Sequence, residues 1–120
     1  MPSESNTPPV EIRFTPEFKR NLRALSKRYH HIRSDIEPIL NQLQVGIFVG
    51  DQIPHTGYTL YKVRVRNRDA QRGKRGGYRL IYYLHTPQSV ILITLYSKTE
   101  QSDISATNLR RIIHEFEETP

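Results

Sequence analysis

The segment 61–66, Tyr-Lys-Val-Arg-Val-Arg, shows the most regular alternation of hydrophobic and polar residues in the chain. Successive side chains of a β-strand point to opposite faces of its sheet, so a period of two residues is typical of a strand. The pattern therefore predicts a strand with one apolar face and one basic face. The basic face carries Lys62, Arg64 and Arg66.

Three further segments have the composition of strands. Residues 10–14 alternate between apolar and polar side chains, and residues 78–84 are apolar or aromatic with Arg79 as the one charge. Residues 90–96 form a continuous apolar run rich in β-branched side chains, which predicts a central strand covered on both faces. Residues 49–57 have neither pattern and predict a loop or an irregular edge.

Three segments have the period of amphipathic helices, and each follows a residue suited to cap a helix. Thr15 precedes a proline and an acid, which favours a helix starting there. Residues 34–37, Ser-Asp-Ile-Glu, have the pattern of a capping box, so the second helix is predicted to begin at Ser34. Gly46 is predicted to end that helix, and Ser105 to cap the last one.

The resulting order, β-α-α-β-β-β-α, predicts an α+β fold. We expect a small, mostly antiparallel sheet with the helices packed on one face and the basic row on the other. Residues 1–9 are polar and rich in proline, and they predict a flexible N-terminal leader. Residues 10–118 then form a single domain, which is the usual arrangement at this length.

Charge is concentrated rather than spread along the chain. The net charge is +6, and eight of the 18 lysines and arginines lie between residues 61 and 79, where Asp69 is the one acid. This favours a nucleic-acid ligand or an acidic partner protein. The chain has no cysteine, which excludes disulfides and thiolate metal sites. It has no apolar run of membrane-spanning length, so we expect a cytoplasmic protein without membrane contact.

Two features around the basic strand sharpen this picture. Arg79 interrupts an otherwise apolar strand, and residues 73–77, Gly-Lys-Arg-Gly-Gly, would bring backbone and two cations, Lys74 and Arg75, close to an anion. A phosphate backbone is the ligand that such an arrangement suits. The alternatives are a solvated sheet face and glycines that serve only to shape a hairpin loop.

Three blocks of the sequence together resemble the RelE/ParE toxin superfamily, and in particular its HigB-like branch. The blocks are residues 61–65, residues 73–83 and residues 95–104, and the resemblance extends from Glu11 to Phe116. It implies a RelE-like fold and a toxin of a type II toxin–antitoxin pair. It also implies a cognate antitoxin, held in a hetero-oligomer with the toxin, and the ribosome with its mRNA as target.

The resemblance further implies roles for individual residues. Lys62 would act as the base or stabilise the nucleophile, Arg64 would bind the phosphate, and Arg79 would brace the phosphate at which the RNA is cut. Lys98 would serve the leaving-group side. The residues expected to bind RNA around these four are Arg66, Lys74, Arg75 and Tyr96.

The chemistry of RNA cleavage fits such a set. Attack by the 2′-hydroxyl requires its deprotonation, neutralisation of the phosphate and protonation of the 5′-oxygen. The predicted basic strands carry neither an acid nor a catalytic histidine, so lysine and arginine must act while the ribosome positions the substrate. We expect no metal and no cofactor. Two alternatives stay open: a ParE-like topoisomerase inhibitor without catalysis, and a basic nucleic-acid-binding module.

Overall fold

The computed structural model describes residues 8–68, 77–101 and 103–118. The leader residues 1–7 and the predicted RNA contacts Lys74 and Arg75 lie outside the described residues. The elements are β1 (Glu11–Phe14), α1 (Pro16–Ser26), α2 (Ile32–Gln44), β2 (Asp51–Ile53), β3 (Leu60–Val65), β4 (Tyr78–Thr86), β5 (Ser89–Ser97) and α3 (Ala106–Glu118). Within the described part of the chain, no helix combines the length and apolar character needed to cross a membrane.

The described strands form one sheet in the order β1-β5-β4-β3-β2. β1 runs parallel to β5, and the other three pairings are antiparallel, so the sheet is mixed. The predicted α+β class is confirmed. β2 is a strand that the sequence pattern did not indicate: it has three residues and lies in the segment predicted as a loop or irregular edge. Its pairing with β3 stabilises a segment too short to show a period of its own.

The prediction that all helices pack on one face is wrong. α1 and α2 cover one face, where Phe18, Leu25 and Ile36 pack against side chains of β3, β4 and β5. α3 covers part of the opposite face, where Leu109 and Ile112 join a second cluster. The physical reason lies in β5, whose nine residues are all buried and therefore need apolar cover on both sides.

The predicted start of α2 at Ser34 is also wrong. The helix begins at Ile32, with His31 in the N-cap position, and Pro38 lies inside it rather than in its first turn. Ser34, the first residue of the predicted capping box, donates to the His31 carbonyl oxygen, and both Ser34 and Asp35 bind Arg68. A tertiary contact has therefore replaced the local capping interaction that the sequence suggests.

The other predicted helix boundaries are confirmed. The Thr15 hydroxyl accepts a hydrogen bond from the Phe18 amide at 2.9 Å, and Ser105 caps α3 through the Asn108 amide at 3.1 Å. Gly46 follows the end of α2 with a φ of +85°, a conformation that glycine adopts without strain. These caps fix the residues at which α1 and α3 begin.

Candidate functional site

The register of β3 and β4 brings the three predicted cations onto one face. Arg64 lies directly opposite Arg79, and Lys62 lies opposite Ile81. Residues opposite each other in an antiparallel pair share a face, and residues two apart on a strand do so as well. The predicted sharing of a face by Lys62 and Arg64 is confirmed, and Arg79 of β4 lies on the same face. Because β3 ends before Arg66, we use the name basic face from here on for Lys62, Arg64 and Arg79.

The three cations differ in depth. Arg64 is exposed, and the side chain of Lys62 is 36% exposed. Arg79 is only 8% exposed, and its Nη1 donates a hydrogen bond to the carbonyl oxygen of Tyr78 at 3.2 Å. The basic face therefore combines a buried arginine, Arg79, with an exposed one, Arg64, and Lys62 lies between them in exposure.

An acid from the loop before α3 reaches the basic face. Lys62 Nζ lies 3.4 Å from Asp103 Oδ1, and the same oxygen accepts hydrogen bonds from the Tyr96 hydroxyl at 3.3 Å and from the Ile104 amide at 2.8 Å. The Ile104 amide, followed by the charge of Lys62, holds the pKa of Asp103 below its ordinary value of 3.8. The carboxylate is therefore ionised at neutral pH.

A second acid faces Lys62 from the edge of the sheet. Asp51 on β2 lies directly opposite Lys62 in the register of β2 and β3, and it is exposed. As expected, β3 and β4 themselves carry no acid; Asp51 comes from β2, a strand in the segment predicted as a loop or irregular edge. Lys62 nevertheless forms its ion pair with Asp103 rather than with Asp51.

Tyr96 lies on the same side as Arg79, its partner in the register of β4 and β5. It is 6% exposed, and burial, reinforced by Asp103, raises its pKa to about 12. The hydroxyl is therefore neutral at physiological pH and donates to a carboxylate. Burial leaves little of the ring surface for the base that the sequence predicted would stack there.

The remaining predicted residues lie at the ends of strands. Lys98 follows the last residue of β5, is half-buried, and its amide donates to the Gly77 carbonyl oxygen at 2.9 Å. Arg66 follows β3 and is exposed. The structure thus places both at the same end of the sheet as Arg79, while their roles stay predictions.

Two contacts fix the chain on either side of residues 69–76. Asp35, whose side chain is 1% exposed, accepts hydrogen bonds from the Arg68 amide at 3.2 Å and from Arg68 Nε at 2.6 Å. Gly77 has a φ of +79°, and a Cβ added there would overlap the Val65 carbonyl oxygen. Gly77 therefore has a structural reason to be glycine, whatever its part in binding.

Asp103 is the residue of this site that the sequence reasoning missed as a functional candidate. It closes one of the blocks that carry the family resemblance, but it lies 41 positions from Lys62, and no local period links a loop residue to a strand at that distance. The signal that could have found it is its place in that block.

The described residues contain no group of three or more His, Asp or Glu side chains arranged to hold a metal ion. No model of a known protein family matches the chain.

Proposed function

We propose that the protein is a ribosome-dependent mRNA endonuclease, acting as the toxin of a type II toxin–antitoxin pair. The observation that carries the proposal is the pairing of Arg64 with Arg79 on the face that also holds Lys62. In this proposal the mixed sheet with α1 and α2 on one side is a RelE-like fold, and its open surface meets the RNA.

The pairing of two arginines favours a phosphate as ligand. Like charges directly opposite each other on neighbouring strands destabilise a sheet, and an anion placed between them removes that repulsion. Arginine presents its donors in a planar fork that matches the oxygens of a phosphate. Arg64, which is exposed, would meet the RNA backbone first, and Arg79, which is largely buried, would hold the phosphate at which the RNA is cut.

The ion pair between Lys62 and Asp103 supports a catalytic role for Lys62 over simple binding. A solvated cation that only attracts a backbone gains nothing from a fixed partner, whereas Lys62 meets the carboxylate of Asp103. In this proposal the ammonium of Lys62 stabilises the negative charge that develops on the 2′-oxygen as its proton passes to solvent, and Lys98 donates a proton to the leaving 5′-oxygen. The extra negative charge of the pentavalent phosphate would be stabilised by the two arginines, which are oriented before the substrate arrives.

In this proposal the ribosome positions the mRNA substrate in the site. A lysine in water titrates near ~10.4, so a site built on lysine needs its nucleophile held in line to react at neutral pH. Correct orientation of reacting groups is worth as much as general base catalysis in many enzymes. The protein should therefore be inert toward free RNA.

The test compares one defined mRNA in two states, free and engaged by translating ribosomes, each incubated with the purified protein. We expect cleavage of the engaged mRNA alone, with 2′,3′-cyclic phosphate and 5′-hydroxyl ends, because the 2′-hydroxyl is the nucleophile. Efficient cleavage of free RNA, or intact mRNA on the ribosomes, would contradict the proposal. Intact mRNA together with inhibition of a topoisomerase would favour the ParE-like alternative.

The partner proposed for this toxin is an antitoxin with an acidic or amphipathic segment. The exposed cations Arg64 and Arg66 would attract such a segment, which would either cover the basic face or block its access to the ribosome. Association driven by charge is fast and slows as salt is added. Stopped-flow association with the product of the neighbouring gene should show this dependence, and Arg64→Gln should reduce it.

A further inference from the structure

One oxygen atom beside the basic face has three hydrogen-bond donors around it. Asp103 Oδ1 accepts from the Ile104 amide, from the Tyr96 hydroxyl and from Lys62 Nζ. The first two donors are a backbone group and a buried ring, so they hold the carboxylate in place before Lys62 reaches it. Lysine, in contrast, carries its charge on a flexible four-carbon stem.

We propose that Asp103 is the positioning residue of the site: it holds the ammonium of Lys62 beside Tyr96 and away from the two arginines. The inference rests on the proposed endonuclease function. Without the contact to Asp103, Lys62 would move onto the same phosphate oxygens as Arg64. Held by Asp103, Lys62 stays where the nucleophile must lie, and the arginines bind the phosphate.

The loop that carries Asp103 is built to keep it there. The Gln101 side-chain amide donates to the Asp103 carbonyl oxygen at 3.0 Å, and the amides of Glu100 and Gln101 donate to the Ser97 carbonyl oxygen. These hydrogen bonds connect the backbone of Asp103, through Gln101, to the end of β5. An ion pair between exposed groups is weak by itself, so the orientation of Lys62, rather than stability, is what this contact provides.

Asp103 is not suited to be the general base. Its pKa is held below 3.8, mainly by the Ile104 amide, and a group of such low basicity removes a proton from a hydroxyl inefficiently at neutral pH. The carboxylate therefore acts through Lys62, and we do not count Asp103 as a catalytic residue.

The variant that isolates this role is Asp103→Asn. An asparagine keeps an oxygen for the Ile104 amide and the Tyr96 hydroxyl but lacks the charge that holds Lys62. The matched control is Glu100→Gln, which removes the same charge from the same loop but breaks a pair with Arg28 instead. Both variants change the net charge by the same amount, so a difference in their maximal rates reports the contact with Lys62.

The measurement is single-turnover cleavage of mRNA on translating ribosomes, with ribosome concentration varied to separate the maximal rate from the half-saturating concentration. We expect Asp103→Asn to lower the maximal rate by about 10- to 100-fold, as misplaced reacting groups do. The half-saturating concentration should change no more than in Glu100→Gln, which keeps the wild-type rate.

The outcomes separate the two proposals. Wild-type protein that cleaves no mRNA contradicts the proposed function itself, whereas wild-type cleavage together with an unimpaired Asp103→Asn variant overturns only the role of Asp103. If the asparagine variant is unstable, Asp103→Glu decides, because it restores the carboxylate on the same backbone. Activity regained in the glutamate variant supports positioning by charge, and activity as low as in the asparagine variant overturns it.

Discussion

Arg64 and Arg79 lie directly opposite each other on β3 and β4, so that two guanidinium side chains occupy neighbouring positions on one face of the sheet. One is exposed, and the other is 8% exposed. A sheet gains no stability from such a pair, because like charges directly opposite repel. In the proposed function a bound phosphate would offset this repulsion, and the first prediction follows from the cost of the pair to the free protein.

Neutralising Arg64 should leave the free protein as stable as before or make it more stable. We expect Arg64→Gln to raise the free energy of unfolding by between 0 and about 1 kcal/mol, because the cross-strand repulsion is removed. The matched control is Arg66→Gln, one residue beyond β3, which should change stability by less. Urea denaturation at low salt measures both, and a clear loss of stability in Arg64→Gln would contradict the repulsion.

The contact between Arg68 and Asp35 should matter more for stability. Arg68→Ala leaves the carboxylate of Asp35, which is 1% exposed, with one donor fewer, and we expect unfolding free energy to fall by about 1–3 kcal/mol. Arg28→Ala breaks a pair in which both side chains are substantially exposed, and it should cost about 0–1 kcal/mol. Equal losses in the two variants by chemical denaturation would show that burial of Asp35 has no energetic effect.

Two glycines separate the effect of backbone strain from that of close contact. Gly77 and Gly46 both have positive φ, but an added Cβ meets the Val65 carbonyl oxygen only at Gly77 and finds nothing within 4 Å at Gly46. We expect Gly46→Ala to cost about 1 kcal/mol and Gly77→Ala clearly more, since β3 must move away from β4. Thermal unfolding of the two variants gives the comparison, and the opposite order would refute the contact.

Tyr96 should make the protein less stable at high pH. Its pKa is raised from 10.0 in the unfolded chain to about 12 in the folded one, mainly by burial. Between these values the unfolded state loses a proton that the folded state keeps, so stability is fully present below pH 10 and falls as pH rises toward 12. Tyr96→Phe should weaken this fall in urea denaturation across that range. An unchanged slope would show that Tyr96 does not titrate as described.

Local patterns in the sequence predicted most of the fold, while contacts between distant segments explain what they missed. Alternation along β3 correctly separated Val63 and Val65 from Lys62 and Arg64, because one face of that strand packs on the core. The helix start predicted at Ser34 is wrong, because Ser34 and Asp35 lie inside α2 and bind Arg68, which is far along the chain. A local pattern contains no information about such a partner.

The side of the sheet that a helix covers is a second quantity that local patterns do not contain. The apolar stripe of α3, which includes Leu109 and Ile112, predicts a buried helix but not which face it buries against. The signal in the sequence was the apolar run of β5, which predicted cover on both faces, and all nine residues of that strand are indeed buried. With α3 placed on the face of Lys62, the loop before it brings Asp103 to the site.

The central claim is that the basic face cleaves mRNA. The decisive measurement is the single-turnover rate of mRNA cleavage on translating ribosomes by three proteins: the wild type, Arg64→Gln combined with Arg79→Met, and a control. Methionine fills much of the volume of the buried Arg79 side chain, so the fold is preserved. The control, Arg23→Gln with Lys27→Gln, removes two exposed charges from α1 or its C-cap, on the opposite side of the sheet.

We predict that the wild type and the control cleave at similar rates, while the variant of the basic face is slower by at least about 100-fold. Circular dichroism must show that all three proteins are folded, and co-sedimentation must show that they bind ribosomes. A folded, ribosome-bound variant of the basic face that cleaves mRNA as fast as the wild type would contradict the account.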